Sequence, residues 1–481
     1  MNSRATIADA GESSAAKLRV ANIFGTTVFV SLLCLIVLTA IPYGSSQPWW
    51  KAGFVAAVFT LAILWLVEGF LSQSWFAGSL PLVLPLGALT LFSFLQTLPI
   101  GNQSGNPGKL SFAPWYAISA DPYQTRFFAL LLMALTLSGV FLARYAASEK
   151  RIRISINLVI CVAAASALFG ILRQTLQHTP GFGLPLLIPD AGYAQFINYN
   201  HFAYLMEMAM GLILGLVLGG GVRREQALIY VAALLPIWIG LVLCGSRGGL
   251  IAMLAQLIIG ALLFSIVVRK GNSSDSQSRL IRTASSLPVR VVLILALIAG
   301  VVFGTIWLGG DRLALKIEAL DSEFSSQTSQ SREGASRNEI WKATWHMFRA
   351  HPVLGVGLAG YWVAIPAFHD AAGTMTPQEA HNDYLELLAS GGLAGLALGI
   401  WFSVVVFKRI RENLAVPNRF RRAACFGATL GIAGVAIHSL VDFGLHTIVN
   451  AFVYTTLIVI ATSKPQWGNH ADRPYDQART F

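Results

Sequence analysis

The chain has 481 residues, of which 55% are hydrophobic and 12% are charged, and its formal net charge is +11. Soluble domains carry roughly 25% charged residues, so this composition excludes a water-soluble enzyme, a disordered chain and a coiled coil. Apolar runs of about 18 or more residues recur along the chain, each long enough to cross a hydrocarbon core of about 30 Å as a helix. The sequence therefore predicts an all-α polytopic membrane protein.

The positive charge is interpreted as a property of membrane topology. Cytoplasmic loops of membrane proteins are enriched in Lys and Arg, and the sequence contains no long run of cations and no recognisable nucleic-acid module. We therefore expect membrane lipids, and no nucleic acid, as partners. The four cysteines show no CxxC spacing, which argues against a disulfide or metal framework.

Twelve spans fit the hydropathy pattern. Residues 1–20 form a polar tail, nine spans lie within 21–309, three lie within 383–463, and 464–481 form a second tail. The spans are placed at about 21–42, 52–71, 79–99, 127–147, 154–173, 202–220, 227–244, 249–268, 291–309, 383–407, 423–442 and 447–463. With the N-terminus in the cytoplasm, 23 of the 34 Lys and Arg residues face that side. We therefore expect both termini in the cytoplasm.

Two carboxylates lie inside predicted spans. Placing an ionised carboxylate in lipid costs free energy, so Glu68 and Glu207 are each candidates for a functional site by default. Both are assigned to cytoplasmic ends of their spans, where the favoured interpretation is that they snorkel to water.

The entry to the sixth span is polar. The run Phe196–Ala203 contains Asn198, Asn200 and His201. Its asparagines either bind a head group or satisfy the start of a helix, since asparagine is a preferred N-cap residue.

A very short connection joins the seventh and eighth spans. It reads Gly-Ser-Arg-Gly-Gly from Gly245 to Gly249 and places Arg247 beside Ser246 at the membrane boundary. The guanidinium either grips a phosphate, with the glycines leaving room for a bulky head group, or snorkels to anchor a helix end.

The segment 310–382 is too long for a turn and is interpreted as a periplasmic catalytic loop. A capping box at 336–339 opens a helix that should end near His351 and Pro352. Arg337 lies at the start of that helix, where free N–H groups and its guanidinium favour an anion; a solvated loop charge is the alternative. A second capping box at 376–379 is predicted to open the helix that carries His381 into span ten.

His381 is the candidate general base. In the first turns of its helix, the positive end of the dipole disfavours the imidazolium, and neighbouring arginines act in the same direction. A histidine that is neutral near pH 7 accepts protons, whereas one that only caps or packs is the alternative. Farther along, His438 and Asp442 lie four residues apart in span eleven and either pair on one helix face or line a cavity.

These patterns carry a family resemblance over residues 190–450, approximately. The runs that carry it are Phe196–Ala203, Ser246–Gly249, the stretch from Arg337 to the His381-Asn382-Asp383-Tyr384-Leu-Glu-Leu-Leu run, and the His438–Phe443 run. In this order they resemble the O-antigen ligase and Wzy polymerase superfamily. Members are bacterial inner-membrane glycosyltransferases that act on undecaprenyl-diphosphate-linked glycans, so the resemblance implies a GT-C-like helical architecture.

The resemblance also implies roles for the flagged residues. Arg247 and Arg337 would hold the diphosphate of the donor, and His381 would take the proton from the acceptor hydroxyl. Transfer would invert the anomeric centre and need no metal or cofactor, because the two guanidiniums stabilise the leaving charge. Further candidates for donor or acceptor binding are Asn198, Asn200, His201, Ser246, Asn382, Asp383 and Tyr384. Relatives commonly carry an acidic residue where this chain has Ser390.

The acceptor stays open at this stage. A glycan, a lipid or a protein hydroxyl fits, corresponding to a polymerase, a ligase of lipid A-core or a protein O-glycosyltransferase. The alternative from another class is a secondary transporter or flippase of lipid-linked glycans. No half-to-half repeat is evident in the sequence, and the polar groups cluster at one face rather than at mid-depth.

Overall fold

The computed structural model describes residues 2–75, 80–100, 117–146, 148–269, 337–369 and 377–463, with side chains from residue 16 and, in the helix ending at Arg269, up to residue 264. These ranges are helical apart from turns and one isolated bridge between Tyr193 and Phe196. The helices are α1 Asn2–Ala40, α2 Pro48–Ser72, α3 Leu80–Gln96, α4 Pro122–Tyr145, α5 Glu149–Leu176, α6 Tyr199–Leu218, α7 Arg224–Leu243, α8 Arg247–Arg269, α9 Arg337–Ala350, α10 Tyr361–Ala364, α11 Asp383–Asn413, α12 Arg419–His438 and α13 Ile448–Thr462.

The helices confirm the polytopic helical class. Among the described residues, nine helices are long and apolar enough to cross a membrane, and α3 and α13 are shorter apolar helices. Each predicted span coincides with one of these eleven helices except the ninth, at 291–309, which lies outside the described residues. Hydropathy succeeds here because a membrane helix must satisfy its own backbone over a fixed length of apolar sequence.

Helices α6 and α12 form the centre of the bundle. Their apolar windows are 83% and 67% buried, the highest values among the nine long helices described. Glycines allow the two backbones to touch, because a Cβ on Gly211 would lie 2.4 Å from the nitrogen of Gly431, and one on Gly215 would lie 2.0 Å from the Cα of Gly427. This contact packs the second half of α6 against the middle of α12.

Helix α11 is broken about two and a half turns from its start. Gly392 has φ 61° and ψ −163°, so the regular hydrogen bonding stops there. The segment 352–357 takes up the freed backbone groups: the N–H of Leu393 donates to Pro352 O at 2.8 Å, and the N–H of Gly357 donates to Ser390 O at 2.9 Å. Ser390 is therefore buried against this segment.

The two carboxylates inside the spans are buried, so the interpretation that they snorkel is wrong. Glu68 forms a 2.8 Å ion pair with Arg144 and accepts a hydrogen bond from the hydroxyl of Tyr145. Glu207 lies two turns into α6, and its Oε1 lies 2.7 Å from Nδ1 of His438. Each carboxylate has a partner within the bundle, which replaces the water that snorkelling would supply.

Candidate functional site

The site lies where α6 and α11 begin and α12 ends; we call this the site end of the bundle. Helix α9 ends at Ala350, as predicted from the His351-Pro352 pair. Helix α11, by contrast, begins at Asp383 with Asn382 as N-cap, whose Oδ1 accepts from the backbone N–H groups of residues 384 and 385 at 3.1 and 3.0 Å.

His381 therefore precedes its helix, and the prediction that it lies in the first turns is wrong. Of the second capping box, Thr376 lies outside the described residues and 377–379 are not helical. Thr376 and Asn382 are both of residue types that favour the N-cap position, and Asn382, which lies next to the apolar run, caps the helix. The N-terminal end of α11 still lies beside His381, so its dipole acts in the predicted direction.

The backbone around His381 is held from three sides. The indole N–H of Trp341 donates to Ala380 O at 3.0 Å, and the N–H of Ala380 donates to Glu386 Oε2 at 2.8 Å. After the histidine, the N–H of Asp383 donates to the carbonyl of residue 439 at 3.0 Å. His381 itself has φ +51°, which is uncommon outside glycine. Such a conformation persists when its surroundings fix both flanks, as they do here.

The imidazole of His381 lies near a carboxylate and feels the charge of a guanidinium. Its Nδ1 is buried and lies 3.9 Å from Oδ1 of Asp442, while about a third of the side chain is exposed. Burial lowers the pKa of His381; Asp442 opposes this shift and Arg337 adds to it. Phe443 packs against the ring edge with centroids 4.8 Å apart. The imidazole is consequently biased towards its neutral, proton-accepting form.

Asp442 and His438 have different partners, so their predicted pairing is wrong. Helix α12 ends at His438, and Asp442 lies beyond it. The carboxylate of Asp442 accepts from the amide of Asn200 and, at 2.8 Å, from the backbone N–H of Phe443. His438 instead pairs with Glu207 and stacks on another α6 residue, Tyr204, at 4.2 Å.

Polar residues at the starts of α6 and α8 bond to each other. Asn198 caps α6, accepting from the N–H of Asn200 at 2.8 Å. Ser246 donates to Oδ1 of Asn200 at 2.7 Å, and its Oγ accepts from the N–H of Gly249 at 3.1 Å. Ser246 thereby caps α8, and Arg247 is the first residue of that helix, half-buried at the site end.

The glycines after Arg247 pack against protein, so the interpretation that they leave room for a head group is wrong. A Cβ on Gly248 would lie 2.5 Å from the ring of His438, and one on Gly249 would lie 2.8 Å from Cβ of Ala203. These glycines allow the start of α8 to approach α6 and α12.

Further ionisable groups lie around His381. His201 is buried, with its ring against the edge of Phe443 at 5.0 Å. His446 Nε2 lies 3.6 Å from Oδ1 of Asp383, and burial, with Lys51 and His381 nearby, lowers the pKa of His446 to about 4. The hydroxyl of another predicted residue, Tyr384, donates to the carbonyl of residue 436 at 2.7 Å. His446 and Lys51 are not among the predicted site residues, and their signal in the sequence is only their position outside the predicted cytoplasmic loops.

The structure thus joins the predicted site residues into one assembly. The charge of Arg337 acts on His381. Arg247 follows Ser246, whose hydroxyl bonds to Asn200; Asn200 bonds to Asp442, and Asp442 faces His381. Neither Asn200 nor Asp442 was predicted to connect these groups. The distances along the chain, 242 residues between those two, explain why.

A family model described as O-antigen ligase matches residues 231–400, just over a third of the chain. The matched segment runs from α7 into α11 and includes Arg247, Arg337 and His381, whereas Asn200 and Asp442 lie outside it. A search of curated proteins found no match. The matched segment and the ordered motifs agree in their similarity to the O-antigen ligase and Wzy polymerase superfamily.

Proposed function

We propose that the protein transfers a glycan from an undecaprenyl-diphosphate-linked donor to an acceptor hydroxyl at the periplasmic face of a bacterial inner membrane. The observation that carries this proposal is the state of His381: a partly exposed imidazole 3.9 Å from Asp442, whose pKa is lowered by burial and by the charge of Arg337. A neutral base next to guanidiniums suits the attack of a hydroxyl on a phosphate-linked sugar.

In the proposed reaction, His381 removes the proton from the acceptor hydroxyl through Nε2. The Nδ1–H tautomer is the one that directs its proton at Asp442, leaving Nε2 as the basic nitrogen. The acceptor oxygen then forms a bond to the anomeric carbon as the bond from that carbon to the diphosphate oxygen breaks, with inversion. The guanidiniums of Arg247 and Arg337 bind the diphosphate and stabilise the negative charge that it gains as it leaves.

The surroundings of the site suggest places for the two substrates. The donor and a glycan, lipid or protein acceptor are the proposed partners, and no cofactor takes part. His201, near the start of α6, and Asp383 and Tyr384, which begin α11 just after His381, are proposed to contact the sugars. The Oδ1 atoms of Asn198 and Asn382 each cap a helix. The excess of Lys and Arg on one side supports cytoplasmic termini, which would place the site in the periplasm.

Replacement of the base tests the proposal. His381→Ala should abolish glycan transfer in a deletion strain complemented with the variant, with an unchanged amount of protein in the membrane. His346→Ala is the matched control, because His346 is an exposed histidine on α9. Normal surface polysaccharide in the His381→Ala strain would refute the proposal.

A second measurement separates the acceptor classes. In a deletion strain, loss of a ligase leaves full-length polymer on the carrier lipid, whereas loss of a polymerase leaves single repeat units. Electrophoresis of lipid-linked and surface glycan distinguishes the two, and glycoprotein staining detects a protein acceptor.

A further inference from the structure

A continuous buried chain of hydrogen bonds connects the start of α8 with the surroundings of His381. The hydroxyl of Ser246 donates to Oδ1 of Asn200, and Nδ2 of Asn200 donates to Oδ2 of Asp442. The other carboxylate oxygen of Asp442 faces Nδ1 of His381 at 3.9 Å. Ser246, Asn200 and Asp442 are 0%, 7% and 1% exposed.

The chemistry of the two flanking groups fixes the orientation of the Asn200 amide. A carboxylate only accepts hydrogen bonds, so Nδ2 must face Asp442, and Oδ1 is then free to accept from the serine hydroxyl. Both polar atoms of the side chain are thereby used within the protein. Asn200 links a residue that caps the helix of Arg247 to a carboxylate that faces His381.

We propose that Asn200 is a positioning residue that sets the diphosphate-binding arm and the general base with a single side chain. Through Ser246 it fixes where α8, and so Arg247, begins; through Asp442 it fixes the carboxylate that orients His381. This inference rests on the proposed function and deepens it, because it couples donor binding to base orientation at the same site. Buried and fully satisfied networks of this kind hold their members rigidly.

Asn200→Asp tests this role closely, because it changes the charge and the hydrogen-bonding of the side chain but hardly its shape. A carboxylate at position 200 faces the carboxylate of Asp442, and two carboxylates in contact share one proton or repel each other. We expect kcat for glycan transfer to fall about 100-fold, the loss associated with a misplacement of about 1 Å in an active site. We also expect binding of undecaprenyl diphosphate to weaken about tenfold. The side chain at position 200 loses its hydrogen bond to Asp442 and no longer fixes Ser246 and Arg247.

The reciprocal double variant, Asn200→Asp with Asp442→Asn, separates position from charge. The amide and the carboxylate exchange places, so the hydrogen-bonded chain is restored while the negative charge moves away from His381. Binding of undecaprenyl diphosphate should return to within about threefold of the wild type, because the bond between side chains 200 and 442, which orients the acceptor of the Ser246 hydroxyl, is restored.

The pH dependence of kcat/KM provides a readout that restored packing alone would not change. The charged and titratable groups that face His381 are Asp442, Arg337, His201 and His446. Moving the negative charge from position 442 to 200 lowers the pKa of the imidazole, so the acidic limb of the double variant should lie at a lower pH than that of the wild type.

Asn413→Asp is the matched control. Asn413 is 8% exposed and its amide also bonds within the protein, but it lies at the end of α11 remote from His381. The experiment uses the purified full-length chain, with lipid-linked glycan extracted from the deletion strain as donor and undecaprenyl diphosphate as binding probe. The control should keep the kcat, the binding and the pH profile of the wild type.

The outcomes separate the two proposals. A wild-type protein that binds undecaprenyl diphosphate without transferring glycan refutes the proposed function. A transferring wild type whose Asn200→Asp variant keeps its kcat and binding, or whose Asn413→Asp control shows the same losses, overturns the positioning role alone. If Asn200→Asp does not accumulate in the membrane, the double variant decides: restored binding and a shifted pH limb support the role, and failure of either overturns it.

Discussion

Replacement of Gly248 by alanine tests how tightly Arg247 is positioned. The added Cβ would lie 2.5 Å from Cδ2 and Nε2 of His438 and 3.0 Å from a methyl of Val441. Carbon atoms in contact prefer a separation of about 3.5–4.0 Å, so one side must move by about 1 Å. His438 cannot yield easily, because it pairs with Glu207 at 2.7 Å and stacks on the ring of Tyr204.

The magnitude follows from comparing the two ways to relieve this overlap. Shifting the start of α8 is an overpacking strain of about 1–3 kcal/mol, whereas breaking the buried pair of His438 with Glu207 costs about 3–5 kcal/mol. The helix should therefore move and carry Arg247 with it. A displacement of about 1 Å in an active site costs up to about 100-fold in rate. We expect glycan transfer to fall about 10- to 100-fold, with a higher KM for the lipid-linked donor.

Gly260→Ala on the same helix is the matched control. Among the described residues, its Cβ would meet only the side chain of Leu430, at 3.5 Å, which is an ordinary contact. Alanine is a better helix former than glycine by up to about 1 kcal/mol, so this variant should be as stable as the wild type or more stable. Transfer kinetics with the purified variants and their thermal midpoints provide the comparison. Equal activity of the two variants would refute the reasoning that His438 fixes the start of α8.

Two further predictions concern charges at opposite ends of the bundle. Arg337→Gln removes a cation that lowers the pKa of His381. The acidic limb of kcat/KM should lie below the ordinary histidine pKa of about 6.5 in the wild type and should move to higher pH in the variant. An unmoved limb would contradict the influence of Arg337 on His381. Glu68→Ala leaves the buried guanidinium of Arg144 without its carboxylate partner and should destabilise the fold by about 3–5 kcal/mol. The thermal midpoint should fall while the KM for the donor stays constant. An unchanged midpoint would show that the ion pair does not contribute to stability.

The sequence predicted the parts of this protein that depend on local order. Hydropathy located the described spans, because crossing a membrane requires a continuous apolar helix. The predicted start of span eight, at residue 249, lies two residues after the start of α8 at Arg247. The start of α11 was predicted too early, because two capping patterns lay six residues apart and local preference did not choose between them.

Contacts between distant parts of the chain could not be predicted from the sequence. Glu207 was interpreted as a carboxylate at a lipid boundary because its partner, His438, lies 231 residues away. Helical spacing offers a pair of Asp442 with His438 as one of two alternatives, but the helix ends before Asp442, and Asn200 donates to its carboxylate instead. In each case a burial requirement selects the partner, and that requirement exists only after the helices have packed.

The break in α11 at Gly392 also limits how this protein can be engineered. Segment 352–357 supplies hydrogen-bonding partners that the helix lacks on either side of the break, so it is as much a part of the bundle as a span is. A chimera that grafts the stretch between α8 and α11 from a relative must therefore keep residues 352–357 with their host helix. A graft boundary placed after α10, beyond Ala364, would leave that pairing intact, and the exchange of specificity between relatives can be attempted there.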